Sequence, residues 1–117
     1  KDFITKAEII QNAKVINNNI CLAYTKTETD NINIVIAQAA DELLNIKEVE
    51  ASFVLARKDD RVFISARSLG NINVHVLMEN LGGGGHRDMA GAQLDTSLEK
   101  AYEMVKDTIQ TCIKEEE

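Results

Sequence analysis

Four consecutive glycines, Gly82–Gly85, followed by His86, constrain this chain more than any other stretch. Each glycine costs roughly 0.5–1 kcal/mol more than alanine to order, so a fixed tetraglycine needs a compensating reason. One such reason is close approach of a ligand to bare backbone. Amide donors with no Cβ in the way can form a concave, anion-accepting nest, and His86 and Arg87 follow as side-chain donors. The alternative is a flexible hinge. Glycine linkers usually carry serine or repeat themselves, whereas this run sits between two apolar segments, which favours the nest.

The flanking sequence divides into regular elements. Thr5-Lys6-Ala7-Glu8 has capping-box spacing, with Ile4 and Ile9 placed as a hydrophobic staple, and predicts a helix over about residues 6–16 ended by Asn17-Asn18-Asn19. Ile20–Tyr24 is an unbroken apolar run, the pattern of a strand covered on both faces. Ile32, Ile36, Ala39, Ala40 and Leu43 recur at helical spacing, which predicts a second helix from Asn31 to about Leu44 with Asp30 as its cap. Ala51–Ala56 and Val62–Ala66 read as antiparallel strands joined by the polar bridge Arg57–Arg61, and Asp59-Asp60 is a solvated turn. Val74, Leu77, Met78 and Leu81 make a short amphipathic helix that Gly82 terminates. Ala90–Leu94 reads as a last strand of small residues. Thr96 and Glu99 form another capping box, opening a long helix to about Lys114 and leaving Glu115–Glu117 as a frayed end.

This order of elements packs as an α/β (α+β) layer fold, a single mixed sheet of about four to five strands with helices laid against it. Period two puts Phe63, Ser65 and Arg67 on one face of their strand and Val62, Ile64 and Ala66 on the other, so Arg67 ends the strand and projects beyond it. A guanidinium offers a planar fork that matches two phosphate oxygens. Alone, Arg67 is a surface arginine; beside a glycine nest and a histidine it becomes a candidate anion ligand. His86 can donate to phosphate as a neutral or charged ring, or be an idle loop residue, and His75 reads as a solvent-facing or rim residue.

Absences bound the chemistry. A hydrolytic two-metal site needs several Asp and His ligands at close spacing, but this chain has two histidines and no DxD or DHH cluster. No P-loop lysine follows the glycines and no GxSxG occurs. The formal net charge of -6 ill suits a track for long nucleic acid and leaves room for a small anion in a local pocket. Cys21 and Cys112 belong to no CxxC and read as thiols of a reducing, cytoplasmic environment rather than a disulfide or metal pair. The chain opens on Lys1 with no basic-then-apolar leader, as expected of one domain, 1–117, excised from a longer protein. No apolar run approaches the roughly 20 residues that cross a bilayer, so no membrane contact by this stretch is expected.

The run ISARSLGNINVHVLMENLGGGGHRDMAGAQL resembles the signature half of a DHHA1 domain, the substrate-binding lobe that follows the catalytic DHH domain in DHH/DHHA1 phosphoesterases. ADELLNIKEVEASFVLARKDDRVFISARSLGNINV is most similar to the GdpP type, the membrane-anchored cyclic di-AMP phosphodiesterases. The combination of GGGGH and a downstream Ala-Gly with Ser-x-Arg-Ser and Asn-x-Asn-Val is far more specific than its parts. Met89 departs from the family's small-residue pattern, standing where alanine is common.

The resemblance implies that Gly83, Gly84, Gly85 and His86 contact the substrate phosphate or nucleotide, that Arg67 and Ser68 help to clamp it, and that Asn73 braces the pocket. It implies no catalytic or metal-binding residue here: the Mn2+ chemistry belongs to a DHH domain of the parent chain. The implied substrates are a cyclic dinucleotide or a short oligonucleotide, and the implied parent is a protein of the type anchored to the bacterial cell membrane. Two other readings remain open: a single-stranded nucleic-acid end-binding module, as in RecJ-type exonucleases, and a structural or homodimerising domain.

Overall fold

Two apolar runs without polar alternation, Ile20–Ala23 and Ala51–Ala56, lie at the centre of a six-stranded sheet and are buried on both faces. The structure is a computed structural model that describes residues 2–116, with side chains described as far as Ile113. The strands are β1 (Lys14–Ile16), β2 (Ile20–Thr25), β3 (Ala51–Lys58), β4 (Arg61–Ser68), β5 (Gly84–His86) and β6 (Met89–Leu94), in the spatial order β1-β2-β3-β4-β6-β5. β2 and β3 run parallel and the other neighbours antiparallel. A parallel pair needs a crossover, supplied here by helix α2 (Ile32–Leu43).

Helices cover both faces. Together with α1 (Asp2–Gln11), α2 buries Ile36, Ala39, Ala40 and Leu43 against Cys21, Ala23, Val54 and Ala56. The opposite face packs Phe53, Leu55, Val62, Ile64, Ala90 and Ala92 against α3 (Val74–Glu79) and α4 (Leu98–Glu116). The cover is uneven. On its face α2 reaches across β3 to β4, and beyond it the side chains of Met89, Gln93 and His86 stay exposed. Among the described residues no helix is long and apolar enough to cross a membrane.

Both strands beyond the expected four to five come from stretches read differently. The first helix occupies residues 2–11 rather than 6–16, because Thr5 lies inside it, buried one turn from Ile9 instead of capping it. Residues 14–16 then pair with β2, and Asn17 and Asn18, at φ 52° and 71°, make the turn of that hairpin rather than a helix end. β5 arises from the glycines themselves.

Other boundaries move for local reasons. Asn31, not Asp30, precedes α2, and its Nδ2 donates to Asp2 Oδ2 at 3.3 Å. The β3–β4 bridge shrinks to Asp59 and Asp60, both left-handed. Ser97 rather than Thr96 caps α4, its Oγ accepting from Lys100 N at 3.1 Å. That helix continues through Glu116 instead of stopping at Lys114; Glu117 lies outside the described residues. Cys21 is buried, which pushes its thiol pKa up, and Cys112 is half-buried; both are free.

Gly82 ends α3 as expected: at φ +86° it lets its own N–H reach Glu79 O and that of Gly83 reach Met78 O, at 3.0 and 2.8 Å. The next glycines meet β6 at close range. A Cβ on residue 83 would stand 2.1 Å from Gly91 O, and one on residue 85 would stand 2.5 Å from Ala90 Cα. At Gly84 nothing lies within 4 Å.

Gly83→Ala is therefore expected to destabilise by about 1–3 kcal/mol through backbone displacement while Gly84→Ala stays within about 0.5 kcal/mol, read by denaturant unfolding; equal losses would contradict the packing described. A thiol reagent at pH 8 modifies Cys112 well before Cys21, and gaining Cys21 only on unfolding is the signature to seek by mass spectrometry.

Candidate functional site

The register of β4, β6 and β5 builds a surface on the open half of the sheet. Residues paired across antiparallel strands point to the same side, so the face carries three rows. Phe63 pairs with Gln93; Ser65 pairs with Gly91, which pairs with Gly84; Arg67 pairs with Met89, which pairs with His86. The period-two reading of Phe63, Ser65 and Arg67 holds. The middle row is a strip with almost no side chain. Gly91 lacks room for one, since a Cβ there would meet Ile64 O at 2.8 Å, but Gly84 faces open space. A groove of about 480 Å3 lies over the Phe63 end, walled by Asn33 and Ile36 of α2 and by the backbone of Gly82 and Gly83.

Arg67 does not project beyond its strand. β4 continues through Ser68, whose N–H donates to Asp88 O at 3.0 Å, so Arg67 lies on the face with its side chain only 12% exposed. Its Nε donates to Asp41 Oδ1 at 2.9 Å and its Nη1 to Ala66 O at 2.9 Å. Asp41 belongs to the last turn of α2, and no motif in the sequence marked it. Its place is set by Ser52, the cross-strand partner of Arg67, whose buried hydroxyl donates to Ala40 O at 2.6 Å. Ser52 pins Ala40 to β3, and the next residue along the helix meets the guanidinium.

The glycines form neither a nest nor a hinge. The amides of Gly82 and Gly83 close the end of α3, and residues 84–86 are a strand paired to β6. Arg87, read as a donor into the nest, turns the other way: its Nε donates to Gly70 O at 2.6 Å, and its carbonyl accepts from Val74 N at 3.0 Å. It ties the 69–73 loop to the hairpin end. Asn73 caps α3, its Oδ1 accepting from the amides of His75 and Val76 at 3.1 and 3.3 Å. Ser68 is buried on the α3 side and accepts from Gly70 N at 2.9 Å. His75, on the rim, stands 3.6 Å from Glu79.

Of the residues singled out by sequence, then, Arg67, Gly84 and His86 share the open face, Gly83 and Gly85 hold the glycine strand against β6, and Ser68 and Asn73 support loops behind it. The arrangement can take up an anion beside Arg67 and His86 while a flat group lies on the bare strip.

The DHHA1 domain model matches residues 17–115. The chain belongs to the DHHA1 family. This DHHA1 domain is 44% identical over 111 residues to the cyclic-di-AMP phosphodiesterase GdpP of Bacillus subtilis, covering 92% of this chain and 17% of that protein. It is 38% identical over 101 residues to the cyclic-di-AMP phosphodiesterase PdeA of Listeria monocytogenes, covering 85% and 15%. The chain thus spans less than a fifth of these relatives. An exopolyphosphatase-related protein from Bacteroides fragilis has the same fold, with a TM-score of 0.82 at 22% identity over 94% of this chain and 34% of that one.

The Asp41–Arg67 pair is half covered, one partner at 12% and the other at 61% exposure, so screening keeps its worth near that of a good surface pair. A double-mutant cycle of Asp41→Ala and Arg67→Ala in urea is expected to give a coupling of about 1 kcal/mol. Strict additivity would mean that Asp41 does not hold the guanidinium.

Proposed function

We propose that this chain is the substrate-holding lobe of a metal-dependent phosphodiesterase that acts on cyclic di-AMP or short linear dinucleotides. The observation that supports this reading most is the row Arg67–Met89–His86 beside the bare strip Ser65–Gly91–Gly84, because Gly84 is the one glycine of the run that neither backbone geometry nor packing requires. Its missing side chain leaves space outward, toward a ligand. The matched phosphodiesterases act on cyclic di-AMP by name, and the likeness extends over nearly all of this chain.

In this reading Arg67, held in place by Asp41, turns its remaining N–H groups to a substrate phosphate and neutralises part of its charge. His86 donates a ring N–H to the same phosphate. Gly83 and Gly85 hold the strand close enough to β6 for Gly84 to lie flat beneath the substrate, and Ser68 and Asn73 brace the loops behind. The lobe's contribution is positioning. Among the described residues no three His, Cys, Asp or Glu come together as a metal-ligand group, and the resemblance places the manganese in a separate DHH domain. The manganese ligands belong, on this proposal, to that DHH domain, in a longer, membrane-anchored parent whose lobe faces the cytoplasm.

Calorimetric titration of this chain with cyclic di-AMP is expected to show binding. Arg67→Ala and Gly84→Val each weaken it about tenfold or more, the loss of a charge-assisted hydrogen bond or of open space. Incubation with Mn2+ and cyclic di-AMP yields no product. Wild-type affinity in both variants, or turnover by the chain alone, sinks the proposal.

A further inference from the structure

We infer that the Phe63 end of the open face is a subsite for a purine base, separate in chemistry from the Arg67 end; the inference rests on the proposed nucleotide-holding role and extends it. The groove of about 480 Å3 there is lined by no charged side chain. Its polar lining is neutral, from Asn33, Gln93 and Ser65, and Phe63 lines it as well. The ion pair Arg61–Asp95 stands next to this end without lining the groove, and Arg67 meets Asp41 four residues along β4 from Phe63. The cation nearest this end, Arg61, is taken up by Asp95 and Gln93, so the groove offers neutral donors and acceptors that suit a planar, uncharged ring better than a phosphate.

The polar groups are set for such an edge. Gln93 Oε1 accepts from Arg61 Nη1 at 2.8 Å, and Arg61 is itself held by Asp95 at 2.8 Å. The oxygen of that amide is therefore engaged, and its NH2 is left as a donor of fixed placement. Among the described residues the Asn33 amide and the Ser65 hydroxyl have no hydrogen-bond partner in the protein, and both line the groove. A carboxamide places a donor beside an acceptor, the complement of an adenine amino group and its neighbouring ring nitrogen. Phe63 gives the base an aromatic surface. From Phe63 to Arg67 is four residues, about 13 Å of strand at about 3.3 Å per residue, so base and phosphate can occupy opposite ends with the sugar over the Ser65–Gly91–Gly84 strip.

The test is a 15N NMR titration of this chain with AMP and, separately, with ribose 5-phosphate, which carries the same phosphate and no base. AMP is expected to shift the amides of Phe63, Ser65, Gly91 and Gln93 as well as those of Arg67 and His86, and ribose 5-phosphate only the latter two. Asn33→Ala and Gln93→Ala, both at exposed positions, weaken AMP about 5–10-fold and leave ribose 5-phosphate unchanged. If both ligands shift the same amides with equal affinity, or if the two variants bind AMP as tightly as the parent sequence does, the base subsite is wrong and the phosphate reading stands. Shifts at the Phe63 end with AMP but no response to ribose 5-phosphate uphold the subsite and remove the phosphate reading. No response to either ligand overturns both.

Discussion

The half of the molecule that carries the open face depends on one steric condition: the backbone of residues 83–85 lies against β6 too closely for side chains at 83 and 85. Two glycines satisfy it, and a third at 91 lets β6 approach β4 in turn. With three strands drawn together across these positions, the pairing is fixed residue for residue, and a slip of one place would exchange the open face for the buried one. Ala90 and Ala92 would then leave the core, and Met89 would enter it. The small residues of this hairpin act as the registration marks of the sheet.

The second dependence runs through α2. A serine buried in β3 fixes the helix backbone at Ala40, and the helix presents Asp41 to the arginine opposite that serine. The guanidinium is thereby held against the sheet by Asp41 and Ala66 O, where an extended side chain at a strand end would sweep a wide volume of solvent. Each of the three residues is ordinary alone. Together they turn a flexible cation into a fixed one, and fixed donors lose less freedom when an anion arrives.

Much of this was legible in advance. The apolar runs of β2 and β3, the helical spacing of α2 and α4 and the alternation along β4 all rest on periodicity, and periodicity survives tertiary context when a segment has one clear inside. What failed was decided by neighbours far away in sequence. Thr5 has the look of a cap, but burial beside Ile9 draws it into the helix. Lys14–Ile16 is too short to carry a strand pattern and becomes one only because β2 offers an edge. The glycines could be read as special but not as a strand, since the partner that makes them one, β6, is itself a weak pattern of small residues. Among the candidate residues, Arg67 and His86 were visible by chemistry, whereas Asp41 carried no local signal: its role exists only once α2 crosses the sheet.

All six glycines of the chain fall between residues 70 and 91, while the left-handed residues elsewhere are Asn17, Asn18, Glu48, Asp59 and Asp60. The consequence lies in the unfolded state. Glycine surrenders more backbone freedom on ordering than any other residue, so the cost in conformational entropy is concentrated in the β4–β6–β5 half, and the β1–β2–β3 half escapes most of it. Local opening is therefore expected to favour the glycine hairpin, which hangs on the edge of a sheet whose strands β2 and β3 are buried on both faces. On the proposed function, a ligand lying across β4, β6 and β5 and touching α2 would bridge the loose part of the domain to the firm part, and so couple occupancy of the face to the cooperativity of the fold.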